Sequence, residues 1–243
     1  LEKNDMASFE TTPTLYDLTG DGISDALLGA LNGLFYAVNG ATGDKLWEYD
    51  TRSGSGIRSS AIVKDQKIFF ANTESTVFIL DNKGELLKKT RLDRNPVGLY
   101  ASPVFSASDH LFIGSHWPGS SSGVWVVPPY GQLDPVFVDL GQITASGFVA
   151  DLLGTGTPQL GFITKDGGLF LLDEEGNTLS QFTLPAGSST TPLVADVDGD
   201  GLLELLMTTE DWAIRCYDTE SQGNVSWGNF RGNNLNTGVL DKP

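Results

Sequence analysis

The residues best placed to do chemistry are four acids within nine positions: Asp196, Asp198, Asp200 and Glu204. They alternate with small or apolar residues in the stretch Ala195-Asp196-Val197-Asp198-Gly199-Asp200-Gly201-Leu202-Leu203-Glu204-Leu205-Leu206. Like charges this close repel each other unless a cation sits among them. Ca²⁺ suits the set, because it takes roughly six to eight hard oxygen ligands in a flexible geometry. Gly199 and Gly201 let the backbone turn tightly enough to aim alternate side chains inward. The expected ligands are Asp196, Asp198, Asp200, the Leu202 carbonyl and Glu204. A second loop near the other end of the chain has oxygens at the same positions: Asp17, Thr19, Asp21, the Ile23 carbonyl and Asp25. It has one charge fewer, which implies weaker binding. A third copy, Asp151 to Gln159, keeps its glycines but only one acid. Its turn is expected to persist without a metal.

The spacing fixes which elements must hold these loops. Asp-x-Asp-x-Asp-Gly opens like an EF-hand loop, but Glu204 is the ninth residue of the loop, where the EF-hand acid is about the twelfth. The stretch Leu203 to Thr208 is an apolar run of strand type rather than a helix. The reading is a calcium loop inside a β-hairpin.

The strands on either side recur. Thr12-Pro13, Ser59-Ser60, Ser102-Pro103, Ser146-Gly147 and Thr191-Pro192 each open a short apolar strand, at intervals of 47, 43, 44 and 45 residues. A period of about 45 residues matches four short strands per blade of a β-propeller. Each unit continues with a second strand (Ala26–Ala30, Lys67–Ala71, His110–Gly114, Gln159–Ile163, Leu203–Met207) and a Gly- or Asn-containing turn. A third strand comes next (Leu34–Val38, Thr76–Leu80, Gly123–Val127, Leu169–Leu172, Trp212–Cys216). A glycine turn at Gly43, Gly84, Gly131, Gly176 or Gly223 then leads to a more polar outer strand. The near-continuous apolar runs fit strands packed on both faces, and no helix is expected. The sequence thus predicts an all-β fold: one β-propeller domain over 1–243, with five four-stranded units near 11–55, 56–98, 99–142, 143–187 and 188–238. The calcium loops fall between first and second strands of blades one and five, which are neighbours if the ring closes. The second and third units have tight turns there instead, Asp65-Gln66 and Ser108-Asp109.

Bulk properties exclude several classes. With 31 acids against 15 bases, the 243-residue chain carries a formal net charge of −16. Such a surface repels nucleic acid and anionic membranes. No apolar run is long enough to span a membrane. The single cysteine, Cys216, allows no internal disulfide and leaves the redox compartment open. A chain starting at Leu1 without an apolar leader reads as a mature or trimmed form.

The calcium loop resembles the FG-GAP/VCBS repeat of integrin α-subunits and bacterial surface propellers. The segment Ala37-Val38-Asn39-Gly40-Ala41-Thr42-Gly43-Asp44-Lys45-Leu46-Trp47 resembles the tryptophan-docking motif of PQQ-like propellers, with Asn39 in place of its Asp. Trp227, four residues after Gly223, reads as a second copy. The stretch Trp227 to Gly238 is similar to a segment bordering such propellers. The quinoprotein resemblance implies a cofactor held beside a vicinal cysteine pair, which one cysteine cannot supply. No PQQ is therefore expected, and Trp47 and Trp227 read as rings buried between blades.

The other candidates are weaker. His110 and His116 lack a cysteine partner at zinc spacing. No nucleophile elbow, phosphate loop or dinucleotide fingerprint occurs. A glycosidase needs two acids that converge in space, which sequence leaves open. The connections between successive units carry Arg52, Arg58, Arg94, Tyr100 and Gln142 among Ser, Thr and Gly. Arg52, Arg58 and Arg94 in corresponding loops suggest an anion or acidic-peptide site. An insertion in the third unit supplies His116 and Trp117, which with Tyr130 suggest an aromatic patch for sugar or peptide.

The reading with most support is a non-enzymatic, calcium-stabilised binding propeller. Its expected setting is the cell exterior, cell surface or periplasm, where millimolar calcium is available. Its expected partner is a protein or a glycan. A lectin-like propeller and a sugar-cleaving or degenerate quinoprotein enzyme are the alternatives, as is a piece of a larger propeller or assembly.

Overall fold

A computed structural model describes residues 8–95, 97–116, 122–129, 134–232 and 237–240. Those residues form only strands and connecting segments, with no helix among them.

The first sheet comprises β1 (Thr14–Tyr16), β2 (Asp25–Gly29), β3 (Leu34–Val38) and β4 (Lys45–Asp50). The second comprises β5 (Ile62–Lys64), β6 (Lys67–Asn72), β7 (Thr76–Leu80) and β8 (Leu86–Arg91). The third comprises β9 (Val104–Phe105), β10 (Leu111–Ser115), β11 (Gly123–Val127) and β12 (Val136–Asp139). The fourth holds β13 (Phe148–Ala150), β14 (Gln159–Ile163), β15 (Gly168–Leu172) and β16 (Thr178–Thr183). The fifth holds β17 (Leu193–Ala195), β18 (Glu204–Thr208) and β19 (Ile214–Asp218). Neighbouring strands in every sheet are antiparallel and consecutive in sequence, with one exception: β20 (Val225–Trp227) pairs with β13 of the fourth sheet.

That exception corrects an expectation. The repeat pattern puts Val225–Trp227 in the outer strand of the fifth unit, but it lies against an inner strand instead. Two glycines permit the detour. A Cβ on Gly223 would stand 2.3 Å from the Asp151 carbonyl oxygen, and one on Gly228 would stand 2.5 Å from that of Val194. Only a glycine backbone passes at that range. Trp227 is therefore not a second Trp47. The third strand of the same unit also starts later than expected. Trp212 sits in the preceding turn at φ 63° and is 99% exposed, held there as Asp211 Oδ1 accepts from Thr209 Oγ1 at 2.7 Å.

The sheets stack face to face through three buried clusters. Leu27, Phe35, Ile68, Phe70 and Phe78 join the first and second, with the Phe35 and Phe70 rings stacked at 4.1 Å. Leu111, Phe112, Val124, Phe162 and Leu172 are among those joining the third and fourth. Phe148, Leu171, Leu205 and Met207 join the fourth and fifth. Trp47 docks the first sheet onto the second. Its Nε1 donates to the Asn82 carbonyl at 3.2 Å, and its ring covers Gly84, where a Cβ would meet it at 2.7 Å.

The recurring Ser/Thr pairs have a mechanical explanation. The N–H of Thr12 donates to Ser60 Oγ at 2.9 Å, that of Ser60 to Ser102 Oγ at 3.1 Å, that of Ser102 to Ser146 Oγ at 3.0 Å, and that of Ser146 to Thr191 Oγ1 at 3.2 Å. Each hydroxyl ties its strand entry to the preceding sheet's. No such bond joins Thr191 to Thr12 among the described residues. The chain's last segment acts there instead. Gly228 O accepts from Val194 N at 2.6 Å, Thr237 O from Leu15 N at 3.1 Å, and Gly238 O from Val63 N at 2.9 Å. Arg231, 2% exposed, donates to Thr12 O at 3.1 Å, Thr14 Oγ1 at 2.6 Å and Thr237 O at 2.8 Å. The segment thereby straps the inner strands of sheets four, five, one and two.

Candidate functional site

Two places concentrate functional side chains, at opposite ends of the inner strands. One is the set of loops that leave β1, β13 and β17. The other is the set of segments that enter these strands.

The β1–β2 and β17–β18 loops are built alike. Gly20 and Gly22 have φ of 76° and 84°, and Gly199 and Gly201 have 83° and 90°. Nothing lies within 4 Å of a Cβ built on any of the four, so conformation rather than space requires glycine there. Asp17 Oδ1 accepts from Gly20 N at 2.7 Å and Oδ2 from Gly22 N at 2.9 Å. Asp196 repeats this with Gly199 N at 2.7 Å and Gly201 N at 3.1 Å. Asp21 accepts from Ile23 N at 2.8 Å, as Asp200 does from Leu202 N. The last acid of each loop is buried. Asp25 is fully buried and accepts from Leu18 N at 2.9 Å, while Glu204 is 3% exposed and accepts from Val197 N at 2.6 Å. The Gly22 N–H above all, aided by those of Gly20 and Asp21, holds the Asp17 carboxyl below its ordinary value. Carboxylate oxygens of Asp196, Asp198 and Glu204 lie within 4.8 Å of one another. That spacing suits a cation with bonds of roughly 2.3–2.6 Å to each.

The β13–β14 loop shows what such an arrangement does without surplus acid. Gly154 and Gly156 take φ of 64° and 83°. Asp151 accepts from Thr155 N at 3.0 Å and Gly156 N at 2.7 Å. Gln159 stands where Asp25 and Glu204 stand in their loops. Its Oε1 accepts from Leu153 N at 3.1 Å. Its Nε2 donates to Asp151 Oδ1 and Thr155 Oγ1, each at 3.2 Å, and to the Thr157 carbonyl. Burial alone would raise the Asp151 carboxyl, but the Gln159 amide and the Thr155 and Gly156 N–H groups outweigh it, and the carboxyl sits below its usual range. The sequence predicts a turn that outlives the metal; it does not reveal the amide that fills the loop's centre.

The entry segments converge on a pocket of about 410 Å³ to which all five sheets contribute, including Glu10, Arg58, Tyr100, Ser146 and Thr190, with Phe230 from the last segment. Arg58 pairs with Glu10, and its guanidinium lies 5.4 Å from the centroid of the Tyr100 ring. The Tyr100 and His116 rings are 6.4 Å apart. Burial, then Lys165, pulls the His116 imidazole below its ordinary pKa. The pocket has hydroxyls, one cation and one carboxylate, Glu10, among its described lining residues.

Arg58, Tyr100 and His116 are thus brought together. Arg52 and Arg94 are not placed with them. Arg52, at φ 55°, lines a groove of the first two sheets with Lys89 and Arg91, and the Arg94 carbonyl accepts from Arg91 Nη2 at 2.8 Å. Trp117 and Tyr130 lie outside the described residues. Glu10 escapes a sequence reading because it belongs to no motif, and Phe230 falls in the Trp227 to Gly238 stretch, whose resemblance does not place it at this pocket.

No sequence family matches the chain, and no curated protein matches it in sequence. Solved structures do. BamB from Moraxella catarrhalis superposes at a TM-score of 0.62 with 18% identity, over 91% of this chain and 61% of that one. Quinohemoprotein alcohol dehydrogenase from Comamonas testosteroni gives 0.68 with 11% identity, over 90% and 44%. BBS1N, crystallised in complex with ARL6DN, gives 0.60 with 17% identity, over 86% and 61%. The chain spans about three-fifths of BamB's length and less than half of the dehydrogenase's. At these identities the likeness concerns the fold alone, and that fold is a β-propeller.

Proposed function

We propose that the chain is a non-enzymatic interaction propeller, a ring of five blades braced by two Ca²⁺ ions, that binds a partner at the mouth of its central channel. The observation that carries the calcium is Gln159. In one of three equivalent loops a donor NH₂ occupies the centre and satisfies the oxygens around it. In the other two the equivalent residue is an acid, and at 196–204 the carboxylate oxygens of Asp196, Asp198 and Glu204 lie within 4.8 Å of one another, a set that a cation would satisfy. Asp17, Thr19, Asp21, the Ile23 carbonyl and Asp25 would hold one ion, and Asp196, Asp198, Asp200, the Leu202 carbonyl and Glu204 the other. The ion supplies charge neutralisation and a fixed loop, so its binding energy is folding energy.

The channel mouth supports binding rather than catalysis. A glycosidase needs a second carboxylate, and Glu10 has none beside it among the described lining residues and is held by Arg58. Arg58 over Tyr100 suits a carboxylate or phosphate on a partner protein, since a guanidinium grips such groups through paired hydrogen bonds. BBS1N, a neighbour in fold, was crystallised with a protein partner, which is the mode proposed here. Calcium-dependent folding points to an extracellular, surface or periplasmic setting.

Melting curves test the brace. At a site with Kd near 10⁻⁴ M, ~10 mM Ca²⁺ contributes about 2.7 kcal/mol. For a domain of this size that is roughly 5–10 °C per site. Identical curves in calcium and in excess chelator would overturn the calcium reading.

A further inference from the structure

Among the described residues, the fifth sheet is one strand short. Sheets one to four each cover their third strand with a fourth: β4 on β3, β8 on β7, β12 on β11 and β16 on β15. The stretch that would cover β19 has been drawn away to β13. The consequence is visible in burial. β3, β7, β11 and β15 are mostly buried, whereas Ile214, Cys216 and Asp218 of β19 are exposed and Arg215 and Tyr217 only half-buried. Ile214 is 77% exposed.

The ladder tells which backbone groups are left over. Thr209 N donates to Ala213 O and Thr219 N to Leu203 O, and β18 pairs Met207 with Arg215 and Leu205 with Tyr217. Hydrogen-bonded pairs alternate along an antiparallel ladder. The odd-numbered residues 213 to 219 therefore face β18, and Ile214, Cys216 and Asp218 turn their N–H and C=O groups to the open edge. No hydrogen bond to those groups is made among the described residues. Beside this edge, between sheets four and five, runs a groove of about 340 Å³ lined by Leu153, Leu171, Phe182, Leu205 and Tyr217. Between the first two sheets the strand equivalent to the missing one is β8, and its Leu86 and Lys89 border the corresponding groove beside Tyr49 of β4.

We infer that the β19 edge is a strand-addition site that receives an extended segment of a partner protein, antiparallel to β19, with an apolar side chain opposite Tyr217 and a basic one opposite Asp218. Directly opposed residues share a face. The residue facing Tyr217 enters the apolar groove, and its neighbour meets Asp218, with Glu220 exposed beyond. Charge selects the occupant. A second copy would bring another net −16 to the edge, whereas a basic strand is attracted to it. Backbone hydrogen bonds supply affinity and the alternating side chains supply selectivity. This site is separate from the channel mouth and does not depend on calcium or on a partner there.

The test uses the full chain and a panel of labelled seven-residue peptides with alternating apolar and Lys, Glu or Ser positions. Lys-containing peptides are expected to bind and Glu-containing ones not. Ile214→Pro removes one open-edge N–H and leaves the β18 ladder intact; it should weaken binding at least about tenfold, or about 1.4 kcal/mol, with an unchanged melting temperature. If that variant fails to fold, Asp218→Lys serves instead and should shift preference from Lys to Glu peptides. The amides of Ile214 and Cys216 should exchange quickly with deuterium in the free protein. Any of four results overturns the inference. These are no peptide binding, binding indifferent to both substitutions, protected amides at 214 and 216 in the free chain (another segment of the same chain is there), or a dimer in sedimentation that Ile214→Pro dissolves.

Discussion

The side-chain amide of Gln159 lies 3.2 Å from both Oδ1 of Asp151 and Oγ1 of Thr155, in the position that the loops at 17–25 and 196–204 give to an acid. One NH₂ group thus does for this loop what a cation would do for the others. Gln159→Glu places a carboxylate beside Asp151 and removes the donor. In chelator the variant should melt below wild type, because two facing carboxylates repel. Calcium should restore part of the loss, which it cannot do for Gln159→Leu. Melting curves of both variants with and without calcium check this.

Trp47 and Gly84 form the dock between the first two sheets. Trp47→Ala removes a half-buried ring and its bond to Asn82, and should cost about 3 kcal/mol. Gly84→Ala should also destabilise, since its φ of 82° and the indole 2.7 Å from the new Cβ both oppose a side chain. Denaturant titrations of the two variants measure these losses.

Much of the fold is legible in the sequence, and the reasons are physical. The Ser/Thr residues at 60, 102, 146 and 191 recur because each tie between sheets needs a hydroxyl at the same point. The glycine pairs at 20/22, 154/156 and 199/201 recur because each loop needs left-handed backbone twice. A local constraint repeated in every unit leaves a period. The strap does not show itself for the opposite reason. Trp227 comes after Gly223 at the spacing that Trp47 keeps from Gly43, so local pattern assigns it to an outer strand. Its actual place is decided by distant partners: the free inner edge of β13, the Val194 N–H, and the Thr12 and Thr14 oxygens that bind Arg231. The convergence of Arg58 and Glu10 is hidden similarly, because they are 48 residues apart. Arg52 and Arg94 show the converse error, in which similar loop positions do not bring similar side chains together.

Arg231 holds the strap. Burial draws its pKa down to about 10, so it stays charged at neutral pH and relies on oxygen partners that include Thr12 O, Thr14 Oγ1 and Thr237 O. Arg231→Met leaves the Thr14 hydroxyl and two carbonyls without that donor. The expected loss is about 3 kcal/mol, or roughly 6–12 °C in melting temperature. Arg231→Lys should rescue little, since an ammonium lacks the guanidinium fork. Calorimetry of both variants decides it.

His116 makes stability depend on pH. Burial first, and Lys165 second, hold its folded pKa below 6.5. Above the unfolded value the ring is neutral in both states, and stability is complete. As pH falls from about 6.5 towards the folded value, the unfolded chain takes up a proton that the folded one refuses, so stability declines. His116→Phe should flatten the profile in that window. Denaturant midpoints measured between pH 5 and 8 provide the comparison.

Calcium titration of metal-stripped protein by calorimetry tests the central claim most directly. Two ions should bind per chain, the weaker one at the loop with three acids rather than four. Asp198→Asn with Glu204→Gln should remove one site and leave the other. No heat of binding, or a stoichiometry untouched by those two substitutions, would contradict the calcium-braced ring.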